Sequence, residues 1–249
     1  MIVLKTTQEL AYMKAACALS AQALQIAGEA VRPGVSTWEI DKIAHDYIVK
    51  HGGTPNFLGY AGYPATACIS VNHQVIHGIP SKTTILQEGD IVSIDLGARL
   101  HGYNGDNAAT FAVGKVSPQA QRLMDVTEQS LYKGIEQALS GGRIGDISAA
   151  VQQCAEEAGF SVVREFVGHG VGRELHEEPE VPNFGKAGHG IRLMPGMTLA
   201  IEPMINMGTP RVKTLKDGWT VETVDRQLSA HFEHTVAITA DGPVILTRP

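Results

Sequence analysis

The stretches His77-Gly-Ile-Pro80 with Gly89-Asp-Ile-Val-Ser-Ile-Asp95, and His176-Glu-Glu-Pro179 with Gly196-Met-Thr-Leu-Ala-Ile-Glu202, are two copies of one pattern, 99 to 107 residues apart. Each copy follows a helix signal, a glycine and a strand signal. Each ends in a carboxylate at the same strand phase. A further strand then brings a second acid, Asp106 in the first half and Glu233 in the second. Agreement in order, phase and residue chemistry argues against coincidence. The period is too long for a solenoid. It fits two supersecondary units packed about a pseudo-two-fold axis, which would bring equivalent residues of both halves to one central site.

Strand periodicity says where the acids point. Val92 and Ile94 face one side, Ser93 and Asp95 the other; Leu199 and Ile201 share a face, Thr198, Ala200 and Glu202 the opposite one. Asp106 is expected to start a strand after a turn over Gly102 to Gly105, and Glu233 lies in the alternating stretch Ser229 to Thr235. Any one of these acids alone reads as a surface residue at a strand end. Four of them, symmetric in a repeat and on apolar strands, need cations or protons to neutralise them. Oxygen-rich ligation with one imidazole suits Mn, Fe(II), Co or Zn, and four negative charges match two divalent ions, which bridged by a hydroxide form a hydrolytic centre.

Outside the repeat, Thr6-x-x-Glu9 and Ser36-x-x-Glu39 have capping-box spacing and predict helix starts. Ile40, Ile43, Tyr47 and Ile48 give the second helix an apolar face, and Gly52-Gly53 ends it. Ser117-Pro118 opens a helix expected to reach Gly141-Gly142; another is expected from Gly145 to Gly159. Strands are expected at 66–71, 91–98, 107–113, 162–167, 197–201 and 232–239. No low-complexity linker separates the halves. The composition, 43% hydrophobic and 18% charged over 249 residues, is that of a globular chain with a sizeable core. A formal charge of −6 argues against a nucleic-acid binder, so no DNA partner is expected. Cys17, Cys68 and Cys154 are odd in number and widely spaced, which points to a reducing compartment rather than a disulfide framework. No apolar run reaches membrane-spanning length. The stretch after Lys14 is read as one helical stripe of Leu10, Met13, Cys17, Leu24 and Ala27 rather than a removed signal.

Among the histidines, His169 lies in Gly168-His-Gly-Val-Gly172, and His176 follows seven residues later. Between them they could supply a ligand and an acid or oxyanion donor. A helical zinc pair of His73 and His77 is disfavoured because Val71, Ile76 and Pro80 read as strand and loop. His176-Glu-Glu-Pro179 lacks the second histidine of H-E-x-x-H and carries a helix-breaking proline. His45, His51, His101, His189 and His234 have no supporting pattern. Neither a nucleophilic-serine elbow nor a phosphate-binding loop occurs.

The ordered set Asp95, Asp106, His169, Glu202, Glu233 resembles the ligands of the methionine aminopeptidases and their pita-bread-fold relatives. The resemblance runs along essentially the whole chain. Its most specific segments are Cys68 to Pro80, Gly168 to Pro179, Asp217-Gly-Trp-Thr220 and Glu233-His-Thr235, which are similar to the bacterial type I enzymes. It implies an α+β, pita-bread fold with a pseudo-two-fold repeat of helix-helix-β units, roughly 36–115 and 143–240, around a central antiparallel sheet, in one catalytic domain over 1–249. The implied activity is removal of the initiator methionine from nascent proteins when the second residue is small.

The resemblance also implies roles. Asp95 would chelate one divalent metal ion, His169 and Glu202 the other, with Asp106 and Glu233 bridging. His77 would contact the scissile amide nitrogen, His176 the developing oxyanion, and Glu202 would also shuttle a proton. Tyr60, Tyr63, Cys68 and Trp219 would line the methionine pocket with Phe57 and Leu175 at its rim; family members carry Cys and Phe at these two rim positions. For Tyr60, Tyr63 and Trp219 the plain alternative is core aromatics. A monovalent cation near Asn72, Gln74 and Ser229, a cytoplasmic monomer, transient ribosome contact and no membrane association are implied too. Because Ile2 is bulky, the chain's own Met1 would be retained. Two other readings stand beside this one. An X-Pro peptidase of the same fold usually needs a large extra N-terminal domain. A non-catalytic pita-bread module binding proteins or ribosomes typically loses metal ligands.

Overall fold

The computed structural model describes residues 1–248. Two helices open the chain, α1 (Thr7–Glu29) and α2 (Thr37–Lys50), both with complete capping boxes on Thr6 and Ser36. A first group of strands follows: β1 (Thr54–Pro55), β2 (Ala67–Val71), β3 (Gln74–Ile76), β4 (Ile91–Leu100) and β5 (Tyr103–Ala112), with a 3-10 turn at Tyr60–Gly62. The second helix pair is α3 (Pro118–Glu136) and α4 (Ile144–Glu157). After it come β6 (Ser161–Val162), β7 (Gly168–Gly170), β8 (Glu177–Val181), β9 (Thr198–Ile201) and β10 (Met204–Asn206). The chain closes with β11 (Val212–Thr214), β12 (Val221–Thr223), β13 (Ser229–His231), β14 (Glu233–Thr239) and β15 (Gly242–Ile245).

The main sheet is antiparallel and runs β1-β4-β5-β14-β9-β7-β8, with β2 also on β4 and β15 on β14. The order is palindromic about the β5–β14 boundary: β4 flanks β5 as β9 flanks β14, and β2 flanks β4 as β7 flanks β9. Helices cover one side of each half. Val92, Ile94 and Leu96 join Leu19, Ala23, Leu24, Ile40 and Ile48 in one core; Leu199, Ile201 and Val236 join Leu131, Ile135, Ile144 and Ile147 in another. The opposite faces of β4, β5, β9 and β14 therefore turn inward, toward the acids. No helix among the described residues is long and apolar enough to cross a membrane.

The structure corrects five sequence readings. Asp106 does not start its strand. The β4–β5 hairpin pairs Leu100 with Tyr103, so the turn is His101-Gly102, both at positive φ as a tight two-residue hairpin requires. The helix from Pro118 stops at Glu136 because residues beyond it pair elsewhere: the Gly141 N–H donates to the Leu193 carbonyl and Leu193 N–H to the Gly142 carbonyl. The strand expected over 162–167 is only Ser161–Val162; past Val163, whose N–H reaches the Met204 carbonyl, the chain leaves the short β6–β10 ladder for the main sheet. The alternating stretch Ser229 to Thr235 is not one strand: Phe232 divides it between β13, which pairs β10, and the start of β14, which pairs β9. Ile43 lies on the exposed side of α2, whose buried row is Ile40, Ala44 and Ile48.

Candidate metal centre and adjoining pocket

Cross-strand register builds the acid cluster. Ala108 on β5 is opposite Asp95 on β4 and also opposite Glu233 on β14, so the three lie in one row across three strands. Asp106 is two residues along β5 on the same face. On the other side of β14, His169 on β7 is opposite Ala200 on β9, and Glu202 is two residues along on that face. The small side chains of Ala108 and Ala200 leave the space between these groups open. One ligand atom each from Asp106, His169 and Glu233 falls within 4.8 Å of the others. His169 Nε2 is 3.5 Å from Glu202 Oε1 and 3.8 Å from Asp106 Oδ2.

Burial of unpaired carboxylates sets the electrostatics. Desolvation raises Asp95 to about 7, with His231 opposing and Glu202 adding to the shift. It raises Glu202 to about 8. Asp106 and Glu233 are pushed well above the carboxylate range, first by burial and then by the neighbouring acids. Asp95 Oδ1, Asp106 Oδ1 and Glu233 Oε1 are buried without a hydrogen-bond partner. Oxygen donors this crowded and this deprived of hydrogen bonds fit divalent cations. His169 fits too. Its Nδ1 is 2.8 Å from the Gly170 carbonyl, which can only accept, so Nδ1 carries the proton and Nε2 offers a lone pair. Burial, then His176, lowers its pKa to about 4 and keeps it neutral.

A cavity of about 250 Å³ opens over this cluster, and the thirteen residues singled out from the sequence for divalent-metal, catalytic and substrate roles line it: Phe57, Tyr60, Tyr63, Cys68, His77, Asp95, Asp106, His169, Leu175, His176, Glu202, Trp219 and Glu233. Cys68 is there because it pairs with Asp95 across β2 and β4. The Tyr63 hydroxyl reaches the Gly78 (2.9 Å) and Ala67 (3.1 Å) carbonyls, and its ring meets Trp219 edge-on at 5.1 Å. A Cβ on Gly78 would sit 2.3 Å from the Ile69 carbonyl oxygen, so only glycine lets this turn close over β2. Asp217 accepts the N–H groups of Trp219 and Thr220, both at 2.9 Å, which sets the Trp219 turn. His77, at φ +58, stands edge-on to Trp219 and Phe166, and burial, with His231 and His176 nearby, lowers its pKa to about 4. His176 sits at the rim with Nδ1 2.8 Å from the Tyr60 hydroxyl and its ring 4.3 Å from that of His169. Asn72 and Ser229 meet through a 2.9 Å Ser229 N–H to Asn72 carbonyl bond, while the Gln74 side chain turns back to Val71 N–H.

His231 was not singled out in the sequence. It is 1% exposed, neither ring nitrogen has a hydrogen-bond partner, and Nε2 lies 3.6 Å from Glu202 Oε2. The signal was its phase, two residues before Glu233 in the same alternating stretch.

The profile of metallopeptidase family M24 matches residues 11–240. The methionine aminopeptidase of Clostridium perfringens is 56% identical over 247 residues, 99% of each chain. Methionine aminopeptidase 1 of Bacillus subtilis is 51% identical over the full length of both. The crystal structure of the Thermotoga maritima methionine aminopeptidase superposes with a TM-score of 0.99 at 45% identity, covering 100% of both chains. The chain belongs to metallopeptidase family M24, among its methionine aminopeptidases.

Proposed function

We propose that the cavity takes the first residue of a methionyl peptide and lays the scissile amide across the acid cluster, and that the chain is one catalytic domain of two repeated halves. The observation that carries this reading is the position of the apolar pocket. Tyr63, Cys68 and Trp219 sit directly above carboxylate oxygens that have no protein partner. A methionine side chain suits the apolar part, and a free amine and a carbonyl suit the charged floor.

Asp95, Asp106, His169, Glu202 and Glu233 would hold divalent ions; two would balance the four carboxylates. Such ions supply Lewis acidity and make water nucleophilic at neutral pH. The protein's own groups do the rest. Tyr60, by donating to Nδ1 of His176, leaves the proton on Nε2, from which His176 donates to the developing oxyanion. His77, kept neutral by burial, faces the amide nitrogen. Glu202, at the edge of the cluster with His231 behind it, moves the proton from attacking water to leaving amine.

The test is reconstitution. Metal-stripped protein given Mn or Co, one ion at a time, should release methionine from Met-Ala-Ser and leave Ala-Pro peptides intact. Cleavage only before proline would transfer the chain to an X-Pro activity. No turnover with any divalent ion would leave a binding module.

A further inference from the structure

His176 and Leu175 sit on the tip of the β7–β8 hairpin, and the far N-terminus of the chain fastens that tip. Glu177, the next residue, turns its carboxylate inward: Lys5 Nζ donates to Oε2 at 2.6 Å, with the two side chains only 3% and 10% exposed. The other oxygen, Oε1, accepts the Glu174 N–H at 3.2 Å, so one carboxylate spans the turn that holds Leu175 and His176. Lys5 is itself fixed, its backbone N–H donating to the Gly196 carbonyl at 2.7 Å immediately before the Thr6 cap of α1. The pair packs closely against the turn at Gly172. A Cβ on Gly172 would lie 2.4 Å from Glu177 Oε1 and 2.8 Å from Lys5 Nζ. The near end of the tip is anchored separately, by the Asn104 amide donating to the Gly172 and Arg173 carbonyls at 3.0 Å.

We infer that Lys5 is a positioning residue for the reaction: through Glu177 it fixes the 174–177 turn so that His176 and Leu175 keep their places over the cavity. The inference rests on the role of His176 given above. A buried ion pair gives little net stability over an apolar pair of similar size, whereas its directional contacts define a geometry. A misplacement of about 1 Å at a reacting group is enough to cost up to about 100-fold in rate.

The experiment uses the metal-loaded enzyme with Lys5→Met/Glu177→Gln, which leaves no lone buried charge and keeps an acceptor for Glu174 N–H. Lys5→Arg and His176→Ala accompany it. The direct readout is the side-chain ¹⁵N–¹H spectrum of His176, assigned by its loss in His176→Ala. The double variant should melt near the wild type, show shifted and broadened His176 signals, and lose about tenfold in kcat with little change in KM. Lys5→Arg should recover most of that kcat. Unchanged His176 signals, or a wild-type kcat in a variant whose signals have moved, would overturn the inference. If His176→Ala itself keeps the wild-type kcat, the donor role of His176 falls, and the spectrum alone judges the Lys5 tie.

Discussion

His169 turns one ring nitrogen to a carbonyl it can only donate to, and that contact decides what the other nitrogen offers. His176 is held the same way by Tyr60, but through a hydroxyl that can donate. These two rings, seven residues apart, would on the proposed reading separate into ligand and donor. His176→Ala is expected to lower kcat by about 100-fold, as loss of one oxyanion donor does; a change confined to KM would contradict the donor role. Asp106 is different in kind: a carboxylate 3% exposed in the middle of the cluster is, in the proposed reading, a metal ligand rather than a substrate contact. Asp106→Ala should therefore abolish stoichiometric divalent binding, read by metal analysis after dialysis, while circular dichroism stays that of the parent. Substantial activity in that variant would rule out its place between the ions. The acids were legible in the sequence because strand phase is a period of two and the repeat showed them twice. His231 shares the phase of Glu233, yet it has no counterpart acid in the first half and so had no repeat to reveal it. The pocket aromatics Tyr60, Tyr63 and Trp219 come from three distant segments, and only the family resemblance joined them.

Between helix and sheet, α1 and β5 bring backbone against backbone where they cross at Cys17 and Gly105. A Cβ on Gly105 would lie 2.5 Å from Cys17 Cα and 2.6 Å from Cys17 N, backbone atoms that cannot swing aside. Gly105→Ala must push the helix off the strand, and Asp106 is the next residue. The expected cost is about 1–3 kcal/mol, the range for overpacking, and divalent affinity should fall with it. Removing the α1 cap, Thr6→Ala, acts at an exposed helix end and should cost about 1 kcal/mol without touching affinity. Denaturant unfolding of the metal-free proteins, with metal titration alongside, separates the two; equal loss of affinity in both would refute the link between helix packing and the site. Helix starts were legible because capping boxes are local. The end of α3 was not, because Gly141 and Gly142 spend their hydrogen bonds on Leu193, far away in sequence. The β4–β5 turn was misplaced by a similar competition: Gly102 and Gly105 both read as turn residues, but Gly105 is kept small by the helix against it rather than by a turn.

For the molecule as a whole, converging acids from both halves makes the metal-free state sensitive to pH. Asp95 and Glu202, with reference values of 3.8 and 4.5, titrate in the folded protein at about 7 and about 8, and Asp106 and Glu233 are raised as well. A carboxyl with a raised folded value keeps its proton where the unfolded chain has lost it, so folding takes up protons and stability falls as pH rises. The buried histidines work against this lower down: His77, His169 and His234 fall from 6.5 to about 4, so between those values stability rises with pH. Above about 6.5 the unfolded histidines have lost most of their charge, their opposing effect fades, and the carboxylates dominate. The metal-free protein should therefore lose thermal stability steadily from pH 6.5 to 8. Divalent ions need the same carboxylates ionised, so they bind more tightly as pH rises and stabilise in proportion to their occupancy. Melting curves in chelator and in Mn should draw apart across that interval, the chelated curve dropping and the metal-loaded one holding. A chelated protein whose midpoint is flat or climbs above pH 6.5, with a metal shift of constant size, would mean that the acids are not held together as a charged cluster waiting for cations.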